Sequence, residues 1–208
     1  MRLDSLKTAP DRAGRYWAAF EDGTKMGLYR QTVEDFGLYS GKDLSQEEME
    51  RLKTAAGRMS AKMRAVRIVS AASVSRQDLE ERLVRKGEDP LQAREAVQWM
   101  EDLRLVDDRA TAEQVVQSCV SKGYGLARAR QALYEKRIPR EYWEEVLADY
   151  PDQTERIEAF LRSRLDPDSD EKQIRRAVDA LIRRGHSYSA VKRVLASLSF
   201  DTEDFLEE

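Results

Sequence analysis

The chain has 208 residues, 41% of them hydrophobic and 36% charged, with a formal net charge of −3. That length suits one or two domains, and the modest apolar content means a thin core divided among small modules. Cys119 is the single cysteine, which excludes an internal disulfide. No apolar run approaches a membrane span, and Asp4, Lys7, Asp11 and Arg12 interrupt any signal-peptide core, so a soluble, reducing, cytoplasmic setting is expected.

Met1 to Gly14 reads as a frayed terminus. Tyr16 to Phe20 and Met26 to Tyr29 are aromatic and apolar. They flank Glu21-Asp22-Gly23-Thr24, whose central Asp-Gly predicts a hairpin. A lone hairpin is marginal in water and needs a partner, most simply a helix over Gln31 to Phe36 stopped by Gly37. Ser45, with Glu48 three residues on, forms a capping box and opens a helix through Met49 and Leu52 towards Met59. Residues 1–60 are therefore expected to form a small β-hairpin/α appendage.

From Lys62 the pattern is helical and repetitive. Ser75, Gly125 and Ser187 align without gaps. Leu79 then falls on Ala129 and Val191, and Leu83 on Leu133 and Leu195, each pair four apart on one helix face. The first repeat, 61–108, is expected to hold helices from about Lys62 to Ala72, from Ser75 to a stop at Gly87, and from Asp89-Pro90 with Ala93, Val97 and Met100 inward. The second, 109–151, has helices over Ala110 to Ser121, Leu126 to Lys136 and Arg140 to Asp149, broken by Tyr150-Pro151-Asp152. The third, 152–208, adds a helix over Thr154 to Leu165 before Glu171 to Arg184, Ser187 to Leu198 and Thr202 to Leu206. Trp143 and Phe205 take the repeat position of Ala93. The predicted fold is mainly α: three tandem three-helix, helix-turn-helix-like repeats in an elongated curved array, with the β-hairpin/α appendage in front.

No catalytic constellation is present. His186 is the only histidine and sits in a basic loop, where a solvated or anion-contacting role fits better than catalysis. Gly123-Tyr124-Gly125 is too short for a phosphate loop and reads as a tight turn between helices. Cys and His are too few for zinc. Asp166, Asp168 and Asp170 resemble half a calcium loop but lack its central glycine and closing glutamate, so they read as a helix-capping linker. Glu80-Glu81 and Glu144-Glu145 read as solvated helix surface. No enzyme, metal or cofactor is expected.

Charge asymmetry is the remaining signal. Lys122, Arg128, Arg130, Lys136, Arg137 and Arg140 face only Glu135 in their stretch. Lys172, Arg175, Arg176, Arg183, Arg184, Lys192 and Arg193 face only Asp179. Such runs are often plain solvated helix faces, but a balanced face interleaves glutamates, as Ser75 to Glu88 does. Bare positive surface attracts phosphates or an acidic protein. Tyr124 and Tyr188, each near the start of a repeat helix, suit stacking on bases or, more commonly, half-buried packing.

At these residues the chain resembles the RecX family of recombination regulators. Ser75 to Leu83 followed by Arg85-Lys86-Gly87 is similar to that family's first-repeat signature, and Leu103 to Asp108 to its inter-repeat link. Lys122-Gly123-Tyr124-Gly125 with Arg128 and Arg130 to Leu133 is similar to its second-repeat signature. Glu88 and Thr111 stand where the family usually has aromatics, and Leu126 where it has proline. The resemblance implies a non-enzymatic, monomeric protein that binds the RecA recombinase and its filament on single-stranded DNA. It would lodge in the filament groove and suppress ATPase, strand exchange and coprotease activities. Arg128, Arg130, Lys136, Arg137, Arg183, Arg184, Lys192 and Arg193 would meet filament acids or DNA phosphate, with Tyr124 and Tyr188 as candidate contact aromatics. Direct nucleic-acid binding by the repeats, or a generic protein-protein adaptor, are the competing readings.

Overall fold

A computed structural model describes residues 1–9 and 14–200. The helix expected over Thr202 to Leu206, with Phe205, lies outside these residues. The chain divides into two units, Met1–Asp107 and Asp108 onward. Among the described residues no helix is long and apolar enough to cross a membrane.

The first unit begins with a three-stranded antiparallel sheet, not a hairpin alone. Strands β1 (Leu3–Thr8), β2 (Arg15–Phe20) and β3 (Lys25–Tyr29) lie in that order. The terminus expected to fray is β1, which pairs Lys7 with Trp17 and Leu6 with Ala18. Its period-two pattern is hidden because the register shifts between Leu3 and Ser5, so Leu3 and Leu6 both face inward although three residues apart. The β2–β3 turn forms as expected. Gly23 takes φ 82°, and the Asp22 carboxylate accepts from the Thr24 N–H (2.9 Å) and hydroxyl (2.8 Å).

Helix α1 (Arg30–Asp35) ends at Gly37, which has φ 51°. Helix α2 runs unbroken over Gln46–Ala71 from the Ser45–Glu48 capping box. Two helices were expected here. Gly57 lies inside α2: a Cβ there would overlap the Gln92 amide of α4 (Pro90–Asp102), so the glycine makes room for that side chain. The N-terminal half of α2, through Met49, Leu52 and Ala56, covers the sheet residues Leu3, Ala18, Phe20 and Leu28. The expected partner α1 adds Val33 and Phe36. The C-terminal half, through Ala61 and Ala65, packs on α3 (Arg76–Arg85) and α4, burying Leu79, Leu83, Ala93 and Met100. One helix thus serves both cores.

The caps read from sequence form: Ser75 accepts from the Asp78 N–H at 3.1 Å, and Asp89 from Leu91 and Gln92. Glu88 explains the missing aromatic. It is buried, accepting from the Ser60 hydroxyl (3.0 Å) and from the Arg64 guanidinium of α2. A carboxylate so placed joins α2 to the α3–α4 turn by charge-assisted bonds in place of ring packing.

In the second unit, α5 (Asp108–Ser121) and α6 (Leu126–Glu135) bury Ala112, Val116 and Leu133 with Ile138. The third helix expected over Arg140 to Asp149 is a 3-10 turn, Arg140–Tyr142, followed by the short α7 (Trp143–Leu147). Then come α8 (Thr154–Arg162), α9 (Glu171–Arg183) and α10 (Tyr188–Ser197), around Ile157, Leu161, Leu181, Val191 and Leu195. Asp170 caps α9 in a capping box with Gln173, the role read for the aspartate linker. Cys119 is buried, which pushes its thiol pKa up.

Candidate docking surface

The cations read as one group on α6 are split by helix geometry. Two residues apart on a helix is about 200° of rotation, so Arg128 and Arg130 leave on different faces. Ala129 and Leu133 between them are fully buried. Arg128 is half-buried and its guanidinium donates to Glu135 at 3.0 Å. Hydrogen bonds from Gln131 and then Arg128 hold the Glu135 carboxyl below the usual carboxylate range. Arg130 is exposed and forms no ion pair among the described residues.

Arg130 instead lines a groove of about 430 Å³ between α6 and α7, with Leu126, Arg140, Trp143, Glu144 and Leu147. The Arg140 guanidinium lies 5.7 Å from the Trp143 ring centre, and the indole N–H donates to the Ile138 carbonyl at 3.1 Å. Tyr134, one turn after Arg130, is 54% exposed, and Arg137 stands 5.8 Å from its ring centre. Arg137 holds φ 55°, a left-handed position that glycine takes at the equivalent Gly87. Leu126 is the first residue of α6 and is exposed on the groove rim. The sequence marked Arg130, Arg137 and Arg140. It marked Trp143 only as the counterpart of inward Ala93 and did not single out Leu147; an arginine three residues before a tryptophan was the available signal for the groove.

The Gly-Tyr-Gly turn has a structural task. The Gly125 N–H donates to the Arg184 carbonyl (2.9 Å) and the Ala127 N–H to the Gly185 carbonyl (3.2 Å). A Cβ on Gly125 would overlap the Gly185 carbonyl, and one on Gly185 would overlap the Arg128 backbone. The α5–α6 and α9–α10 turns are therefore in backbone contact, with the Arg128 backbone against Gly185. His186, expected in a solvated loop, is buried in this junction, with Nε2 3.1 Å from the Gly123 carbonyl oxygen. Accepting this contact as a hydrogen bond requires the Nε2–H tautomer. Burial lowers the His186 pKa and Arg184 adds to the lowering, against the Gly123 bond. The loop read as anion-facing turns inward because its glycine lets two backbones meet.

Tyr124 is half-buried and its carbonyl accepts from the Tyr150 hydroxyl at 2.7 Å. Burial pushes the Tyr150 pKa up to about 12. Tyr188 is 42% exposed at the start of α10 and has interactions of its own. In the third repeat Arg183 is exposed at the end of α9. Arg184 stacks on the Phe160 ring at 4.9 Å, with Arg164 on the same ring at 5.2 Å. Lys192 is half-buried and Arg193 exposed, about one turn along α10 from Tyr188. Lys136 is half-buried and engaged. Arg183, Lys192 and Arg193 form no ion pair among the described residues.

Residues 107–147 match the family model described as RecX, second three-helix domain. The chain is 25% identical over 210 residues to the regulatory protein RecX of Clostridioides difficile (strain 630), covering 98% of this chain and 97% of that one. It is 31% identical over 144 residues to the regulatory protein RecX of Xanthomonas citri, covering 68% and 87%. A crystal structure of regulatory protein RecX superposes with a TM-score of 0.62 at 19% identity, over 93% of this chain and 98% of that one. RecX from Lactobacillus salivarius gives 0.60 at 20% identity, over 70% and 98%. These two structures are similar in fold.

Proposed function

This chain belongs to the RecX family of regulatory proteins, and from that premise we propose that it binds the RecA recombinase and its filament on single-stranded DNA and restrains ATP turnover, strand exchange and coprotease activity without catalysing a reaction. The helical repeats, 61–108, 109–151 and 152–208, are the modules of that contact, and the protein acts as a monomer. The observation that carries this reading is the set of exposed cations without counterions on α6 and α9, Arg130 and Arg183, the first beside an apolar groove. Cations left without acids break no ion pair on docking and gain a partner's acids or phosphates. Trp143, Leu126 and Leu147 add the aromatic and aliphatic contact that an interface core needs.

Titrating the protein into a RecA ATPase reaction on single-stranded DNA is expected to suppress turnover. The double variant Arg130→Glu with Arg140→Glu, of unchanged helicity, is expected to raise the half-inhibitory concentration about tenfold. Undiminished turnover at saturating wild-type protein would exclude the reading. Equal inhibition by the double variant would remove the groove from it.

A further inference from the structure

The N-terminal sheet has one face buried on α2 and one face open. Alternation along the strands puts Ala18, Phe20 and Leu28 inward. The outward positions hold Lys7, Arg15, Trp17, Lys25, Gly27 and Tyr29. Lys7, Trp17 and Gly27 form one row across the three strands, and Arg15 lies opposite Tyr29 in the next. No outward strand position carries an acid; Asp4 falls in the register shift at the far end of β1.

Trp17 is 55% exposed, unusual for the largest apolar side chain on a sheet. Its six-membered ring lies across the sheet over Gly27, 3.5 Å from where a Cβ would stand, and the Arg15 guanidinium reaches the same spot at 3.3 Å. Arg15 also stacks on Tyr29, 4.8 Å from the ring centre, and the Tyr29 hydroxyl accepts from Arg67 of α2 at 3.0 Å. The indole thus rests by part of its ring over Gly27, beside the Arg15 cation. Covering a cross-strand glycine accounts for only part of the ring, and more than half of the side chain stays exposed.

We propose that this sheet face is a platform for a single strand of nucleic acid, with a base stacked on the exposed ring of Trp17 and the neighbouring phosphates held by Lys7, Arg15 and Lys25. A flat aromatic accepts any base, and lysines on either side follow the backbone, so binding is tolerant of sequence and sensitive to salt. A double strand keeps its bases stacked inside and offers the indole nothing, so it binds more weakly than a single strand.

The test uses the full chain, without any recombinase, and a fluorescent oligothymidylate of about twenty nucleotides followed by anisotropy at low salt. Trp17→Ala is expected to weaken binding about tenfold, while Trp17→Phe stays within about threefold. Lys7→Gln with Lys25→Gln is expected to reduce the salt slope by about one to two. Trp17→Thr, which keeps strand propensity, replaces the alanine variant if that fails to fold. The proposal is overturned if wild-type protein does not bind the oligonucleotide, or if a folded Trp17 variant binds it unchanged. It is also overturned if heparin competes equally and the indole fluorescence is not quenched, which would mark a plain anion patch. Because RecA is absent, none of these outcomes bears on inhibition of the filament.

Discussion

Helices α3 and α6 hold the same place in successive repeats, yet their outward faces differ in charge balance, three arginines against three acids on α3 and two against one on α6. In the alignment that puts Ser75 on Gly125, Glu80 falls on Arg130 and Arg94 on Glu144. Glu80 pairs with Arg94 at 2.9 Å. It lines a groove of about 570 Å³ with Gln77, Glu81, Val84 and Arg85. Around it Arg76 pairs with Glu101 and Arg82 with Asp78, so most of the arginines on this face already have acids. The groove of the second repeat holds Arg130 and Arg140 with Glu144 as its only acid. The two helices keep one buried pair, Leu79 and Leu83 in α3, Ala129 and Leu133 in α6, and diverge on the rim. Core positions answer to packing, whereas rim charges cost the fold little and are open to a partner.

The junction glycines offer the largest test of that contrast. Gly87 and Gly185 share nearly the same backbone angle, φ 89° and 86°, but only Gly185 has another backbone against it. Gly87→Ala is expected to cost about 1 kcal/mol, the strain of a left-handed alanine. Gly185→Ala adds overlap with Arg128 and is expected to cost about 3 kcal/mol, since close-packed atoms resist insertion. Guanidinium unfolding of the two variants measures the difference. Equal losses would mean that the turn-to-turn contact contributes nothing.

Exchanging the charges sharpens the comparison next. Arg130→Glu with Glu144→Arg gives the second repeat the first repeat's rim, and about tenfold weaker inhibition of RecA ATP turnover is expected. The mirror exchange, Glu80→Arg with Arg94→Glu, is expected to leave inhibition within about threefold, because the neighbouring pairs still neutralise that face. A larger effect in the first repeat than in the second would reverse the assignment.

The smallest effect is one of pH. His186 has its pKa lowered in the fold, so as pH falls through its ordinary value of 6.5 the unfolded chain takes up the proton first. Stability is therefore full above that pH, declines below it, and levels off once the folded form is protonated too. His186→Gln, which keeps a donor for the Gly123 carbonyl, is expected to flatten the decline in denaturant titrations between about pH 7.5 and 5. A wild-type curve with no slope there would contradict the burial of this imidazole.

Several elements were legible because their causes are local. Ser45 with Glu48, Ser75, Asp89-Pro90 and Asp170 are caps whose bonds close within three residues, and each forms where the sequence puts it. Strand β1 was not legible, because the register shift between Leu3 and Ser5 breaks the alternation a reader looks for. Nor was the unbroken α2, which the sequence divides into a helix towards Met59 and another from about Lys62. Of the cationic group, exposure of Arg130 and pairing of Arg128 depend on the helix rotation, which periodicity does specify. The Arg130–Arg140–Trp143 groove depends on how α6 meets α7, which it does not.

By itself, then, the sequence determined the repeats, their caps and the positive character of the later ones, because these follow from neighbours a few residues apart and from charge that no folding removes. Only the tertiary structure decided which charges were already spent on partners, that His186 turns inward, and that Trp17 lies open over Gly27. Those outcomes depend on atoms brought together from distant stretches of chain, where packing and desolvation, acting at a few ångströms, choose between a buried group and a free one.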